Sequence, residues 1–208
     1  MQKISGSEFT ISCYHTFLYP EAEQKVQNFL NQMKEYSPET YEHSIAVSNL
    51  AGRIGEVFGF HKEDIEKLRL AGALHDIGKL LIPLEILHKK GQLSAEEWSV
   101  MQMHVDAGYK MLLPFVMDAD VLLAIRQHHE RQDGSGYPDK ISHGITRFAK
   151  IIMLVDVFDG MTRNRTYRTC NISIEEARRL MLEQKQRFDA TYLHPFFNEV
   201  VLTEISYR

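Results

Sequence analysis

Leu68-Arg69-Leu70-Ala71-Gly72-Ala73-Leu74-His75-Asp76 decides the architecture. Its first seven residues read as an apolar helical run whose small Gly72 and Ala73 face permits close packing against a neighbouring helix. The run ends on two ionisable residues, and Lys79 follows three positions after Asp76, so this lysine can stay on the same side as the carboxylate. A buried helix that terminates in imidazole and carboxylate groups needs partners for them.

Outward from this run the chain reads as helix in both directions. Helix-compatible periodicity or capping marks Glu21 to Glu35, Pro38 to Phe58, Lys62 to Leu74, Ser94 to Leu113, Ala119 to His129, Thr146 to Thr162, Ser173 to Phe188 and Pro195 to Thr203. Pro38 suits a first helical position, and Ser94-Ala95-Glu96-Glu97 has the form of a capping box. Strand-like alternation is confined to Phe9 to Tyr14. The expected fold class is all-α, a helical bundle with a metal centre in its core.

The residues that would build that centre are Glu39, His43, His75, Asp76, His104, His128, His129 and Asp156. Glu39 and His43 are four apart on one helix and share a face. Neutral imidazole with carboxylate favours first-row transition metals over calcium. Two ions about 3.5–4 Å apart can stabilise both entering and leaving oxygens of a phosphoester, so metallohydrolase chemistry is the first expectation. A single histidine such as His104 would carry little weight alone; His15, His61, His88, His143 and His194 are read as packed or surface residues. The adjacent His128-His129 pair ends an apolar helix and demands two polar partners.

Directly after that pair comes Asp133-Gly134-Ser135-Gly136-Tyr137-Pro138. Its glycines allow positive φ and close backbone approach, Tyr137 adds an aromatic face and a hydroxyl, and Pro138 stiffens the exit. By itself such a stretch is a surface turn; beside the proposed metals it is a candidate pocket wall.

Composition restricts the alternatives. The 208 residues, 44% hydrophobic and 25% charged, suit one substantial core with a short appendage. A net charge of −4 argues against a nucleic-acid polymer as partner, while leaving room for a small anionic substrate at a metal. No apolar run is long enough to span a membrane, and Met1 to Phe17 lacks the order of a signal peptide. Cys13 and Cys170 form no disulfide framework or zinc spacing, so a cytoplasmic location is expected.

Taken in order, His43, His75-Asp76-Ile77-Gly78-Lys79, His104, His128-His129-Glu130, Asp133-Gly134-Ser135-Gly136-Tyr137-Pro138 and Asp156-Val157-Phe158-Asp159 closely resemble the HD-GYP subgroup of the HD phosphohydrolase superfamily. The resemblance covers residues 38 to 190 or so. It implies an all-α domain, residues 38–208 here, that hydrolyses cyclic di-GMP to the linear dinucleotide and in some members onward to GMP, with residues 1–37 a preceding segment of open role. It assigns His43, His75, Asp76, His104, His128, His129 and Asp156 as metal ligands, and Glu39 as the extra carboxylate of members with three metals. Two or three transition-metal ions, iron or manganese first, are thereby implied as cofactors.

The same resemblance places Lys79 beside the substrate phosphate, Gly136 and Tyr137 along the pocket, and Arg165 and Arg168 on phosphate and guanine. Asp159 would support the catalytic group from behind, paired with Lys79. Three positions depart from the family pattern: Gln132 where an aromatic is common, Lys90 in place of Pro, and Gly160 in place of Ala. None removes a ligand, but they bear on base recognition. The competing readings are a hydrolase of another cyclic dinucleotide such as 3′3′-cyclic GMP-AMP, a cyclic di-GMP-binding module with little turnover, and a purely structural bundle. A second copy of the chain or a sensory or receiver partner would fit the family's habits.

Overall fold

Ser37 opens the central helix of the computed structural model, which describes residues 9–163 and 172–201. Its hydroxyl accepts from the backbone N–H of Thr40, and Pro38 takes the first helical turn, where its missing N–H costs nothing. The helix that follows, α2 (Pro38–Val57), comes after α1 (Glu23–Tyr36) and packs along α3 (Lys62–Leu74). Gly72 is why α2 and α3 approach so closely: a Cβ there would stand 2.7 Å from the Cα of Ser48. Ser48 Oγ donates to the Arg69 carbonyl at 2.7 Å across the same contact. The small face read from the sequence is thus a helix–helix seam.

The chain continues through a 3-10 turn, Ile77–Leu81, and a short helix α4 (Leu84–Leu87) into α5 (Ala95–Leu112). The Ser94–Glu97 capping box is present in both directions. Then come α6 (Ala119–Gln127), α7 (Arg147–Thr162), α8 (Ile174–Glu183) and α9 (Ala190–Pro195), the last running into a π-helical turn, Phe196–Val201. Helices α2, α3, α6 and α7 pack on one another, and α5 closes the bundle against α6 and the 3-10 turn. Val47, Ile54, Leu68, Leu70, Val121, Ile125, Ile151 and Val155 are fully buried in one apolar cluster, each contributing about 1.5–3 kcal/mol relative to exposure. Val26, Leu30 and Met33 of α1 join the same cluster.

Three spans differ from the sequence expectation. Phe9 to Tyr14 is not a strand: Ile11–Phe17 forms a 3-10 helix, and Ile11, Tyr14 and Phe17, three apart, are its buried residues. A three-residue period is the face of a 3-10 helix, and the short apparent alternation had no second strand to pair with. The described residues contain no strand, only an isolated bridge between Leu18 and Val116. The C-terminal helix begins at Ala190 rather than Pro195 because Asp189 caps it, accepting from Thr191 N at 2.9 Å. The helix from Ser173 ends at Glu183, and a separate 3-10 turn covers Lys185–Arg187.

Candidate metal centre

Gly78 joins the His75-Asp76 end of α3 to the middle of α5. A Cβ at Gly78 would lie 1.9 Å from the carbonyl oxygen of His104 and 2.5 Å from the nitrogen of Gly108, so only glycine lets the turn rest on that backbone. This contact sets Asp76 beside His104, whose Nε2 is 3.4 Å from Asp76 Oδ1. Residues far apart in the chain then converge. The ligand-type atoms of Asp76, His104, His128 and His129 lie within 4.8 Å of one another, as do those of His43, His75 and Asp76. Asp76 belongs to both groups.

The imidazoles are oriented by their outer nitrogens. Nδ1 of His75, His104 and His128 faces the carbonyl three residues earlier, those of Gly72, Met101 and Ile125, at 2.8, 2.6 and 2.6 Å. A carbonyl only accepts, so Nδ1 carries a proton in each, and a neutral ring then turns its Nε2 lone pair inward. His104 Nε2 and His128 Nε2 then face each other at 3.4 Å with no proton between them. His75 Nε2 and Asp76 Oδ1 are buried with no hydrogen-bond partner. Converging lone pairs and orphaned buried atoms are what a cation would satisfy, and the donor set fits a first-row divalent metal.

Electrostatics point the same way. Burial depresses the pKa of His104 to about 4 and of His128 to about 3, and holds His129 well below the ordinary histidine range. These rings are therefore neutral at pH 7, the state in which histidine binds metal. Burial opposes ionisation of Asp76, yet Lys79, His75 and His104 outweigh it and hold the carboxyl well below its usual range. Asp156 is held low in the same way, chiefly by His43 once burial is overcome. His43 is the exception among the rings: burial disfavours its charge, but hydrogen bonds to Asp156 and Asp159 raise its pKa.

Asp159 does not pair with Lys79. Its Oδ2 accepts from His43 Nδ1 at 2.6 Å, and its two oxygens are held by Arg163 Nε and Nη2 at 2.7 and 3.0 Å. Lys79 instead donates to Asp76 Oδ2 at 2.6 Å. Asp159 and Lys79 belong to α7 and the turn after α3, and side-chain distance, which sequence order does not encode, decides both pairings. Arg165 and Arg168 lie outside the described residues.

A cavity of about 230 Å³ opens onto this cluster. It is lined by Glu39, Thr40, His43, Lys79, His104 and His129, and beyond them by Leu87, His88, Leu93, Trp98, Met101 and Tyr137. Glu39 is thus at the cavity beside His43, one turn along α2, although it falls in neither close ligand group. Tyr137 stacks on His129, with ring centroids 4.6 Å apart and planes 28° apart. Gly136 is what brings it there: a Cβ would lie 2.4 Å from the His129 carbonyl oxygen and 2.5 Å from Arg131 N, so the loop folds flat against the chain it has just left. Tyr137 N donates to that same His129 carbonyl at 3.1 Å. Burial, reinforced by the Asp156 and Asp76 carboxylates, pushes the Tyr137 hydroxyl pKa up and keeps it protonated.

A family model described as an HD domain matches residues 18–192. This chain belongs to the HD domain family. With His75-Asp76 and Gly136-Tyr137-Pro138 both intact, the HD domain is of the HD-GYP type. The 3′3′-cGAMP-specific phosphodiesterase 2 of Vibrio cholerae is 33% identical over 171 residues, covering 80% of this chain and 32% of its own. A cyclic di-GMP phosphodiesterase of Thermotoga maritima is 36% identical over 162 residues, covering 74% of this chain and 42% of its own. The chain therefore spans about a third to two fifths of the length of these relatives. An HDG"Y"P protein from Bdellovibrio bacteriovorus shares the fold, with a TM-score of 0.63 at 20% identity over 77% of this chain and 52% of that one.

Several residues of this HD domain matter more than their sequence context suggested. Glu130, fully buried, accepts from the backbone N–H groups of Asp139 and Ile141 at 2.7 and 3.1 Å and so pins the far limb of the Gly-Tyr-Pro loop. Arg163 was visible in principle, since Asp159 and Arg163 have the four-residue spacing of a helical ion pair. Trp98, Met101 and His104 recur every three residues along α5 and all reach the cavity. His88, read as an ordinary surface or packing histidine, lines it as well. At the departure Gln132, the backbone N–H donates to the Arg187 carbonyl at 3.1 Å while the side-chain nitrogen is buried without a partner.

Proposed function

We propose that this HD domain is a metal-dependent phosphodiesterase of cyclic dinucleotides, cleaving cyclic di-GMP to the linear dinucleotide or onward to GMP. One observation carries the reading: two groups of ligand-type residues, all buried except the half-buried His129, share Asp76, a carboxylate able to serve two cations at once. The phosphodiesterase names of the two relatives support the reaction class, and one of each substrate supports both cyclic di-GMP and 3′3′-cyclic GMP-AMP as candidates.

In the proposal His43, His75, Asp76, His104, His128, His129 and Asp156 hold two ions, and Glu39 supplies a carboxylate to a third; iron or manganese is the first expectation. The bound ions would polarise the phosphoryl group and lower the pKa of water. Lys79, tied to Asp76 and lining the cavity, places a cation where a phosphate would enter. Asp159 keeps the proton of His43 on Nδ1, freeing Nε2 for the centre. Tyr137, held protonated, offers a donor at the cavity wall. Arg165 and Arg168 are proposed to grip the rest of the dinucleotide by bidentate contacts.

Every proposed ligand lies at or after Glu39, which supports residues 38–208 as the catalytic domain, with residues 1–37 contributing packing through α1. No helix of the described residues is long and apolar enough to cross a membrane. A cytoplasmic location and a sensory or receiver partner, or a second copy of the chain, belong to the same proposal.

The test is turnover by protein purified anaerobically with Fe(II) or Mn(II), with metal content quantified alongside and Asp76→Ala as control. The expected result is linear dinucleotide or GMP from the wild type and a loss of at least about a thousandfold in the control, since Asp76 serves both ion groups. Bound metal with cyclic di-GMP intact and cyclic GMP-AMP consumed would reassign the substrate; bound metal with no turnover of either would leave a binding module.

A further inference from the structure

Trp98 stands at the end of an aromatic series that leads out of the metal centre. His129 stacks on Tyr137, and Tyr137 meets Trp98 edge to face, centroids 5.9 Å apart and planes at 82°. Trp98 is 46% exposed, unusual for so large an apolar ring, and the cavity it lines holds about 230 Å³. Pockets that enclose a drug-sized ligand run from about 300 to 1,000 Å³. Two nucleotides are larger than a typical drug, so a dinucleotide seated on the ions must extend past the cavity onto its rim.

That rim is built to hold a shape. Trp98 lies in the first turn of α5, where its backbone N–H donates to the Ser94 carbonyl at 2.8 Å and the Ser94–Glu97 capping box fixes the turn. Lys89 donates to Glu97 Oε2 and ties the preceding loop to the same turn. Leu87, His88 and Leu93, with apolar or flat side chains, line the same cavity. Toward the metal centre the lining carries Lys79 and the imidazoles of His43, His104 and His129, with Glu39 beside them. Lys79 and the cations that these ligand groups would hold suit an anionic end of a ligand, and Trp98 suits a flat aromatic one.

We propose that Trp98 is the stacking platform for one purine base of the nucleotide substrate, and thereby a substrate-binding residue of this site. The proposal rests on the cyclic-dinucleotide reading above. It makes base recognition partly a function of α4 and α5, in addition to the Gly-Tyr-Pro loop, and offers a surface for the base in a chain where Gln132 replaces the family's usual aromatic.

Trp98 is the only tryptophan in the chain, so its fluorescence reports on this position alone. Manganese-loaded protein is titrated with cyclic di-GMP, cyclic GMP-AMP, GMP and, as a purine-free control, inorganic phosphate. Saturable quenching by the purine nucleotides and not by phosphate is expected. Trp98→Ala should raise KM for the cyclic dinucleotide about tenfold or more with metal content unchanged, and Trp98→Phe should recover most of it. Fluorescence that is indifferent to every purine nucleotide overturns the platform, whatever turnover shows. So does a Trp98→Ala effect confined to kcat or accompanied by metal loss. Quenching without turnover in the wild type would keep the platform and sink the hydrolase reading, so the two failures are distinguishable.

Discussion

The two halves of α2 (Pro38–Val57) are built for opposite purposes. Its second half buries Leu50, Ala51 and Ile54 among apolar neighbours, and nothing there asks for a further partner. Its first half buries His43 against Asp156 and Asp159 and turns Glu39 to the cavity. Packing alone completes the first kind of surface; the second retains unsatisfied groups across the centre, His75 Nε2 and Asp76 Oδ1 among them. Buried polar atoms without partners cost about 1–3 kcal/mol each, so the apolar half pays for what the polar half withholds.

If the halves are separable, mutations should sort by half. Ile54→Ala should lower stability by about 2–5 kcal/mol in denaturant melts while leaving metal stoichiometry at the wild-type value; loss of metal in the folded variant would break the distinction. Asp159→Asn should do the reverse, weakening Mn(II) affinity about 10–100-fold by calorimetry with a smaller change in melting temperature. It removes the negative charge that orients His43 and neutralises Arg163 without removing a direct ligand.

The smallest expected effect is on pH. His104 and His128, with pKa values near 4 and 3, and His129, also depressed, take up no proton as the pH falls from 7 to 6, whereas unfolded histidines near 6.5 do. The unfolded state therefore binds more protons, and the stability of chelator-treated protein is lost as the pH falls through that window. His43, its pKa raised, acts with the opposite sign but is one ring against three. Asp76 and Asp156 are depressed from an ordinary value near 3.8 and stay ionised in both states over this range. The net loss should be about 1 kcal/mol, a melting temperature lower by about 2–4 °C at pH 6 than at pH 7. Protein saturated with Mn(II) should melt at a higher temperature at both pH values, because bound metal favours the folded state by mass action.

Helix spans were readable because caps and periodicity are local: Ser37-Pro38, Ser94–Glu97 and Thr146 sit where α2, α5 and α7 begin. The stretch Phe9 to Tyr14 misled because a short alternating pattern cannot be told from a three-residue period until its buried side is known. The ligand-type residues were legible as a set, since His128-His129 and His75-Asp76 are too costly to bury without a purpose. Their division into two groups around Asp76 was not, nor the pairing of Asp159 with Arg163 instead of Lys79.

By itself, then, the order of residues determined an all-α chain, the family, and an inventory of imidazoles and carboxylates suited to metal. These follow from local backbone preference and from the chemistry of side chains, both of which are carried by the residues themselves. Only the tertiary structure decided that Gly78 seats the turn on α5, that Gly136 folds Tyr137 onto His129, and that Trp98 closes the series at the rim. Those facts are distances between elements, and a distance between helices is set by packing, which couples residues dozens of positions apart.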